Sequence, residues 1–477
     1  MVFRRFYDEK LAQASYLVGC GATGEAIVID PLRDADMYVR AAEADGLRIT
    51  AVTETHIHAD YLSGTRELSA RTGARMYLSG EGGPDWGYEF ADDPLVTVVR
   101  DGDSVRVGNV RLDVLHTPGH TPEHITFVLT DEPASATPLG AFTGDFIFVG
   151  DVGRPDLLEK AANIKGTMEA SGRRLFASLQ SFKQNGDGLL VWPGHGAGSA
   201  CGKSLGGAPV SSVGYERAAN WAFKSKTEQE FVDEVLSGQP EPPKYFAMMK
   251  RLNKRGQRIL GGFQTPPRMS GEDMVRLAEE KAQVIDLRVG DVAAKGFIPG
   301  TINIPQDRSF TKWAGWLMSY DAPIYLIADD ESQAKSAVRD LALIGLDAVT
   351  GWSGPEALAA YAAKHGAAAQ VCEVGVDRLS EASVLDVRGA SELVDEGRVP
   401  GSLHIPLGYL QDRLQDLPKD GNIAVLCGSG SRSLMAVTLL KRLGIENACN
   451  VPGGFGEYMN RGYPVDRVGG GPEPTAR

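Results

Sequence analysis

The stretch Thr55-His56-Ile57-His58-Ala59-Asp60-Tyr61-Leu62-Ser63-Gly64, "THIHADYLSG", places two histidines and an aspartate within five positions. A tyrosine then stands where a third histidine would complete a two-metal cluster. On an extended backbone the rings of His56 and His58 fall on the same side. Further donors follow in "HTPGHT" (His120), "FTGD" (Asp145) and "WPGHG" (His195). Each suspect residue lies just past a β-rich run: "LRITAVTET" (47–55), "VRLDVLHT" (110–117), "LGAFTG" (139–144) and "GLLVWPG" (188–194). Loops at the ends of separate strands bring side chains to one pocket, so this order of motifs predicts a metal site. Helical stretches such as "ADMYVRAAEADG" lie between the runs, and strands alternating with helices predict α/β layering.

The chain has 477 residues, enough for about three domains of ordinary size. Its net charge of −13 argues against a nucleic-acid or anionic-membrane partner, whose phosphates would be repelled. No run of 18 apolar residues is present and the N-terminus lacks a signal-type apolar segment, so neither a membrane span nor export is predicted. The five cysteines (Cys20, Cys201, Cys372, Cys427, Cys449) are odd in number and widely spaced. They are not read as a disulfide framework, and they fit a reducing, cytoplasmic setting. The basic run "KRLNKRGQR" (250–258) reads as a solvated helix face or linker.

Six of the eight histidines precede residue 200, which assigns the metal chemistry to the first half. Pro242, Pro243, Pro266, Pro267 and Gly261-Gly262 then punctuate a connection. Beyond it the chain repeats itself with a period near 100 residues. "VIDLR" (284–288) matches "VLDVR" (384–388), and "GFIPGTINIP" (296–305) matches "GRVPGSLHIP" (397–406). "IYLIADDESQ" (324–333) likewise aligns with "IAVLCGSGSR" (423–432). In the second copy Cys427 ends a strand-like run and is followed by Gly428, Ser429, Gly430 and Ser431 at the start of a helix. Backbone N–H groups of such a loop stabilise a thiolate, a persulfide or a sulfur oxyanion. In the first copy Ala328 stands opposite Cys427 and Gln333 opposite Arg432, so cysteine-based sulfur transfer is not possible there. The Asp-x-Arg pairs, Asp286/Arg288 and Asp386/Arg388, occur in both copies and read as structural.

These motifs resemble two families. "THIHAD", "HTPGHT", "FTGD" and "WPGHG" look like the metal motifs of the metallo-β-lactamase fold over roughly residues 1–250. Dinuclear hydrolases of that superfamily carry a histidine at the place of Tyr61. "GDVGRPDLL" (150–158) and "GHGAGSACGKSLG" (194–206) look most like persulfide dioxygenases fused to rhodanese domains. "LCGSGSRS" (426–433) resembles a rhodanese loop, with Cys427 as persulfide carrier and Arg432 as an anion contact; the Cys-x₄-Arg spacing is one residue shorter than in the related phosphatases.

The resemblance implies one Fe(II) per chain held by His56, His120 and Asp145, with zinc as the alternative. Two imidazoles and one carboxylate leave open positions for O2 and substrate on a non-haem iron. His58, Asp60 and His195 then serve as neighbours that orient the ligands. Arg154 is either a contact for an anionic substrate group or an ordinary loop salt bridge. Cys201 is either a sulfur-accepting thiol or a small buried residue.

The expected architecture is a multidomain α/β chain: an αββα sandwich (1–250), a linker (251–268), an inactive rhodanese-like domain (269–367), an active one (368–467) and a disordered tail (468–477). Both rhodanese-like domains should have central parallel sheets. The implied activity is oxidation of a small thiol persulfide, glutathione persulfide or similar, to sulfite and thiol. Cys427 would then move sulfur among persulfide, sulfite and thiosulfate. A dimer or tetramer is implied by the resemblance alone. Two other readings stay open: a two-zinc thioester hydrolase of glyoxalase II type with a sulfurtransferase, and a non-enzymatic sulfur-binding or sensing protein.

Overall fold

Period-two alternation in the N-terminal strands sorts their side chains onto two faces. Tyr16, Val18, Ile27 and Ile29 face a core completed by Val114, Phe127, Phe142 and Trp192. Their neighbours Leu17, Ala26 and Val28 face the opposite way, toward Tyr38 and Ala42 of the helix Ala35–Ala44 and Leu68 of the helix Thr65–Thr72. The computed structural model describes residues 1–157, 159, 166–239 and 241–467, so the tail expected at 468–477 lies outside the described residues.

The described chain forms two units, one of Met1–Phe263 with the segment Arg339–Gly345, the other made of the remainder from Gln264 onward. In the first unit two six-stranded sheets lie face to face. One runs from Val2–Asp8 through Gln13–Cys20, Glu25–Ile29, Arg48–Thr53 and Arg75–Ser79 to Val96–Val99. The other begins at Ser211–Ser212 and continues through Leu190–Pro193, Gly140–Gly144, Ile125–Asp131 and Val110–His116 to Ser104–Val107. Both mix parallel and antiparallel pairs. Leu175 and Leu179 of the helix Met168–Phe182 cover the outer face of the second sheet, which completes the expected αββα sandwich.

The stretch expected to begin the linker is partly helix. Tyr245–Arg255 is helical, with Tyr245, Phe246, Met249, Lys250 and Asn253 buried. Their spacing of three and four residues makes one continuous face, and that face packs inward although it carries charge. Among the described residues no helix is long and apolar enough to cross a membrane.

The second unit repeats one topology. Ile302–Asn303, Gln283–Asp286, Ile324–Ile327 and Val349–Ser353 form a four-stranded parallel sheet; Leu403–His404, Ser383–Asp386, Ile423–Leu426 and Ala448–Asn450 form another in the same order. Nearly continuous apolar runs such as "IAVL" suit strands buried on both faces. In each copy the arginine of the Asp-x-Arg pair binds its aspartate through two nitrogens and donates to a backbone carbonyl, of Gly296 or of Gly397.

One expectation is corrected here. Cys372 and Cys449 form a disulfide, their Cα atoms 4.7 Å apart across 77 residues of sequence. The register explains it: Asn450 N–H donates to the Cys372 carbonyl and Val374 N–H to the Asn450 carbonyl, which lays the segment around Cys372 beside the strand Ala448–Asn450. Wide spacing in sequence therefore does not separate these two sulfurs.

Candidate functional site

His56, His120 and Asp145 follow three different strand ends and meet in the interior of the first unit, each at most 1% exposed. His56 Nε2 and His120 Nε2 lie 3.9 and 3.5 Å from Asp145 Oδ2. Donors each about 2.1 Å from a shared ion stand roughly 3 to 4 Å from one another. None of these ring nitrogens, and neither Asp145 oxygen, has a hydrogen-bond partner. Buried polar atoms left unpaired are costly, so three side chains turned on one point without partners fit a metal ion.

The surrounding hydrogen bonds fix which ring nitrogen is free. His120 Nδ1 is 3.1 Å from the Arg154 carbonyl and His195 Nδ1 3.1 Å from the Ala12 carbonyl. A carbonyl only accepts, so both rings carry their proton on Nδ1 and present a bare Nε2 lone pair. At His56 the Thr55 hydroxyl, 3.0 Å from Nδ1, already donates to Asp30 and must therefore accept from the ring. Burial, reinforced by neighbouring basic groups, pushes His56 and His120 well below the usual imidazole range. Neutral rings of this tautomer are what metal ligation requires. Asp145 is oriented through its backbone: its N–H donates to His124 Nε2 at 3.2 Å, and His124 Nδ1 in turn meets Thr117 Oγ1 at 2.9 Å. Burial lowers His124 to about 3.

A second group lies alongside. Asp60, His195 and Cys201 bring one ligand atom each within 4.8 Å of one another, all buried. His195 Nε2 is 3.3 Å from both Asp60 Oδ2 and Asp145 Oδ1. Burial and then the Asp60 and Asp145 charges push the Cys201 thiol well up.

His58 and Tyr61 are turned elsewhere. His58 Nε2 meets Asp30 Oδ1 at 3.1 Å; burial works against its proton, but the Asp30 charge and hydrogen bond outweigh it and raise His58 to about 9. The Tyr61 hydroxyl donates to the Asp30 carbonyl and accepts from Gln13 Nε2, while its ring lies 4.5 Å from that of His58. Arg154 is fully buried, its guanidinium paired with both oxygens of Asp156 and bonded to the Ala200 carbonyl.

Asp30, Asn253 and Lys250 belong to this neighbourhood and were missing from the sequence-based candidates. Asn253 Nδ2 donates to the His58 and Tyr61 carbonyls and its Oδ1 accepts from Ser63 N–H, which clips the helix Tyr245–Arg255 onto the histidine loop. The burial spacing along that helix was the available signal, and its charge run obscured it.

In the second unit Cys427 ends the strand Ile423–Leu426 and is fully buried. Gly430 N–H points at its sulfur from 3.1 Å and Ser433 Oγ lies 3.4 Å away. Gly430, at φ +104°, turns the loop into the helix Ser431–Arg442. Gly428 separates the cysteine from the exposed Ser429, and Ser431 is also exposed. Arg432 is bound by both oxygens of Glu392, at 2.6 and 2.7 Å. In the first copy Ala328 takes the cysteine's place, and Gln333 Oε1 accepts from Asp329 N–H, closing that loop on itself.

Comparison with known proteins places both regions of the chain in known families. Residues 9–196 match the Metallo-beta-lactamase superfamily and residues 374–461 the Rhodanese-like domain. The chain is 30% identical over 224 residues to persulfide dioxygenase ETHE1, mitochondrial, of Homo sapiens, covering 46% of this chain and 75% of that one. It is 32% identical over 174 residues to a hydroxyacylglutathione hydrolase of Methylobacterium sp. (strain 4-46), covering 36% and 58%. Among solved structures, a metallo-beta-lactamase from Staphylococcus aureus subsp. aureus COL is 44% identical, with a TM-score of 0.67, over 74% of this chain and 99% of that one. The chain belongs to the metallo-β-lactamase superfamily and carries a rhodanese-like domain at residues 374–461.

Proposed function

We propose that the chain oxidises a small thiol persulfide with O2 and then handles the sulfur it releases. The overall balance is RSSH + O2 + H2O → RSH + H2SO3. The observation that carries this reading is the donor set of His56, His120 and Asp145: two neutral imidazoles and one carboxylate, buried, convergent and otherwise unpartnered. That set suits a single non-haem Fe(II), which would supply the redox chemistry with O2 that no side chain here provides. The relatives named persulfide dioxygenase support the substrate class.

The chain's own residues hold the ligands. Thr55, the Arg154 carbonyl and His124 orient His56, His120 and Asp145 in turn. Asp30 keeps His58 engaged away from the donor set, and Tyr61 supplies no ring nitrogen. In the second unit, the Cys427 thiolate would attack the outer sulfur of a persulfide. The S–S bond breaks, the thiol leaves, and a cysteine persulfide remains. Sulfite then attacks that outer sulfur and departs as thiosulfate, restoring the thiolate. The Gly430 N–H, aimed at the sulfur, stabilises the charge at each stage.

A second reading, a thioester hydrolase, is favoured by the relatives named hydroxyacylglutathione hydrolase and by the adjoining group of Asp60, His195 and Cys201. The test is to load the chain with Fe(II) or with zinc and offer glutathione persulfide and S-lactoylglutathione in turn. Sulfite formed only by the iron form, with the thioester untouched, supports persulfide oxidation. Thioester cleavage by the zinc form, with no sulfite from either form, would replace it by the hydrolase.

A further inference from the structure

Among the described residues Lys250 is a buried cation with no hydrogen-bond or ion-pair partner. Its residue is 6% exposed, and its ammonium nitrogen is inaccessible and makes no hydrogen bond. The nitrogen lies over the Trp86 ring, 5.1 Å from its centroid. Lys250 shares its helix face with Asn253, one turn on, which grips the His58–Ser63 loop. That face therefore looks toward the metal donors. The electrostatics agree, since the Lys250 charge is felt at His120, while Glu123, Cys201, Asp145 and Asp156 act on Lys250.

A buried ammonium that forms no ion pair is expensive to keep. The other cations of this region, Arg154 and His58, are already paired, with Asp156 and with Asp30. Ionised persulfide and sulfite both bring negative sulfur chemistry into the pocket, and a group with three unused N–H donors matches it.

We propose that Lys250 holds the anionic sulfur group of substrate or product beside His120 and Asp145. This rests on the persulfide-oxidising reading. A Lys–anion contact differs from a bidentate arginine clamp in being compact and tolerant of a group that changes shape from persulfide to sulfite.

The test uses the full chain with Cys427→Ser, which removes sulfur exchange at the rhodanese loop, so that any sulfite bound there is common to the variants compared. Loaded with zinc, which does not support turnover with O2, the protein is titrated calorimetrically with sulfite. Lys250→Met should weaken sulfite binding tenfold or more, with partial recovery in Lys250→Arg. With iron, the same substitution should raise KM for glutathione persulfide more than it lowers kcat. A change in KM alone identifies the anion as the persulfide, and a change in sulfite affinity alone identifies it as the product; both uphold the site. Weaker sulfite binding in a chain that never consumes O2 upholds the anion site and refutes the dioxygenase reading. Unchanged affinity together with unchanged KM overturns the proposal.

Discussion

Replacing Lys250 by methionine removes an ammonium that, among the described residues, the fold buries without a hydrogen bond or ion pair, so the variant is expected to be more stable than the natural chain. The magnitude follows from the burial. Desolvation, only partly offset by attraction to Glu123 and its acidic neighbours, lowers Lys250 from 10.5 to about 8. That gap corresponds to about 3 kcal/mol of stability withheld at neutral pH. Because the folded value lies below the unfolded one, the unfolded chain binds more protons between about pH 8 and 10.5, and stability of the natural chain rises through that window. The advantage of Lys250→Met should thus be full below about pH 8 and vanish above about 10.5. Urea unfolding of both zinc-saturated proteins at about pH 7 and about pH 10 measures it. Most substitutions of buried residues destabilise, which makes the sign informative. A variant less stable at neutral pH, or an advantage that persists undiminished at high pH, would mean that the buried Lys250 charge does not cost the fold stability.

Other consequences are separable by site. Gly153 leaves no room for a side chain, since a Cβ there would stand 1.8 Å from the Asp145 carbonyl oxygen. Gly153→Ala should therefore shift Asp145 and weaken metal binding roughly 10- to 100-fold, read by competition with a chelating dye. Arg388→Met strands a fully buried Asp386 and should cost roughly 3 to 5 kcal/mol in the second unit, visible by calorimetry, while oxygen uptake per folded molecule stays unchanged. Cys427→Ala should abolish thiosulfate formation and leave oxygen uptake intact, because its sulfur serves only the rhodanese loop; loss of both activities would show that the two sites act as one.

Much of the candidate metal site was legible in the sequence because its donors sit at strand ends, where local pattern and position coincide. His56, His120 and Asp145 each follow a recognisable β-run, and the repeat exposed Ala328 in place of Cys427 without any structure. What could not be read are the contacts set by packing between distant segments. Asp30 governs His58 and Thr55 from 28 and 25 residues away, while Asn253 reaches Tyr61 across 192. Lys250 lies in a run whose composition describes a wet surface, and only the packing of Phe246 and Met249 reveals that its face is turned inward. The disulfide escaped for a similar reason: Cys372 and Cys449 become neighbours through strand register, which spacing does not encode. Arg154 shows the converse, a residue placed near the site whose charge is taken up by Asp156 two positions along.

We propose that the buried donor set serves oxygen chemistry on a persulfide. The most direct measurement is dissolved-oxygen uptake by the chain loaded anaerobically with Fe(II), on adding glutathione persulfide, with His56→Ala as control. Rapid uptake matched mole for mole by sulfite, and lost in the variant, is the expected result. No uptake by protein that holds zinc at two per chain would contradict it and make the site that of a hydrolase.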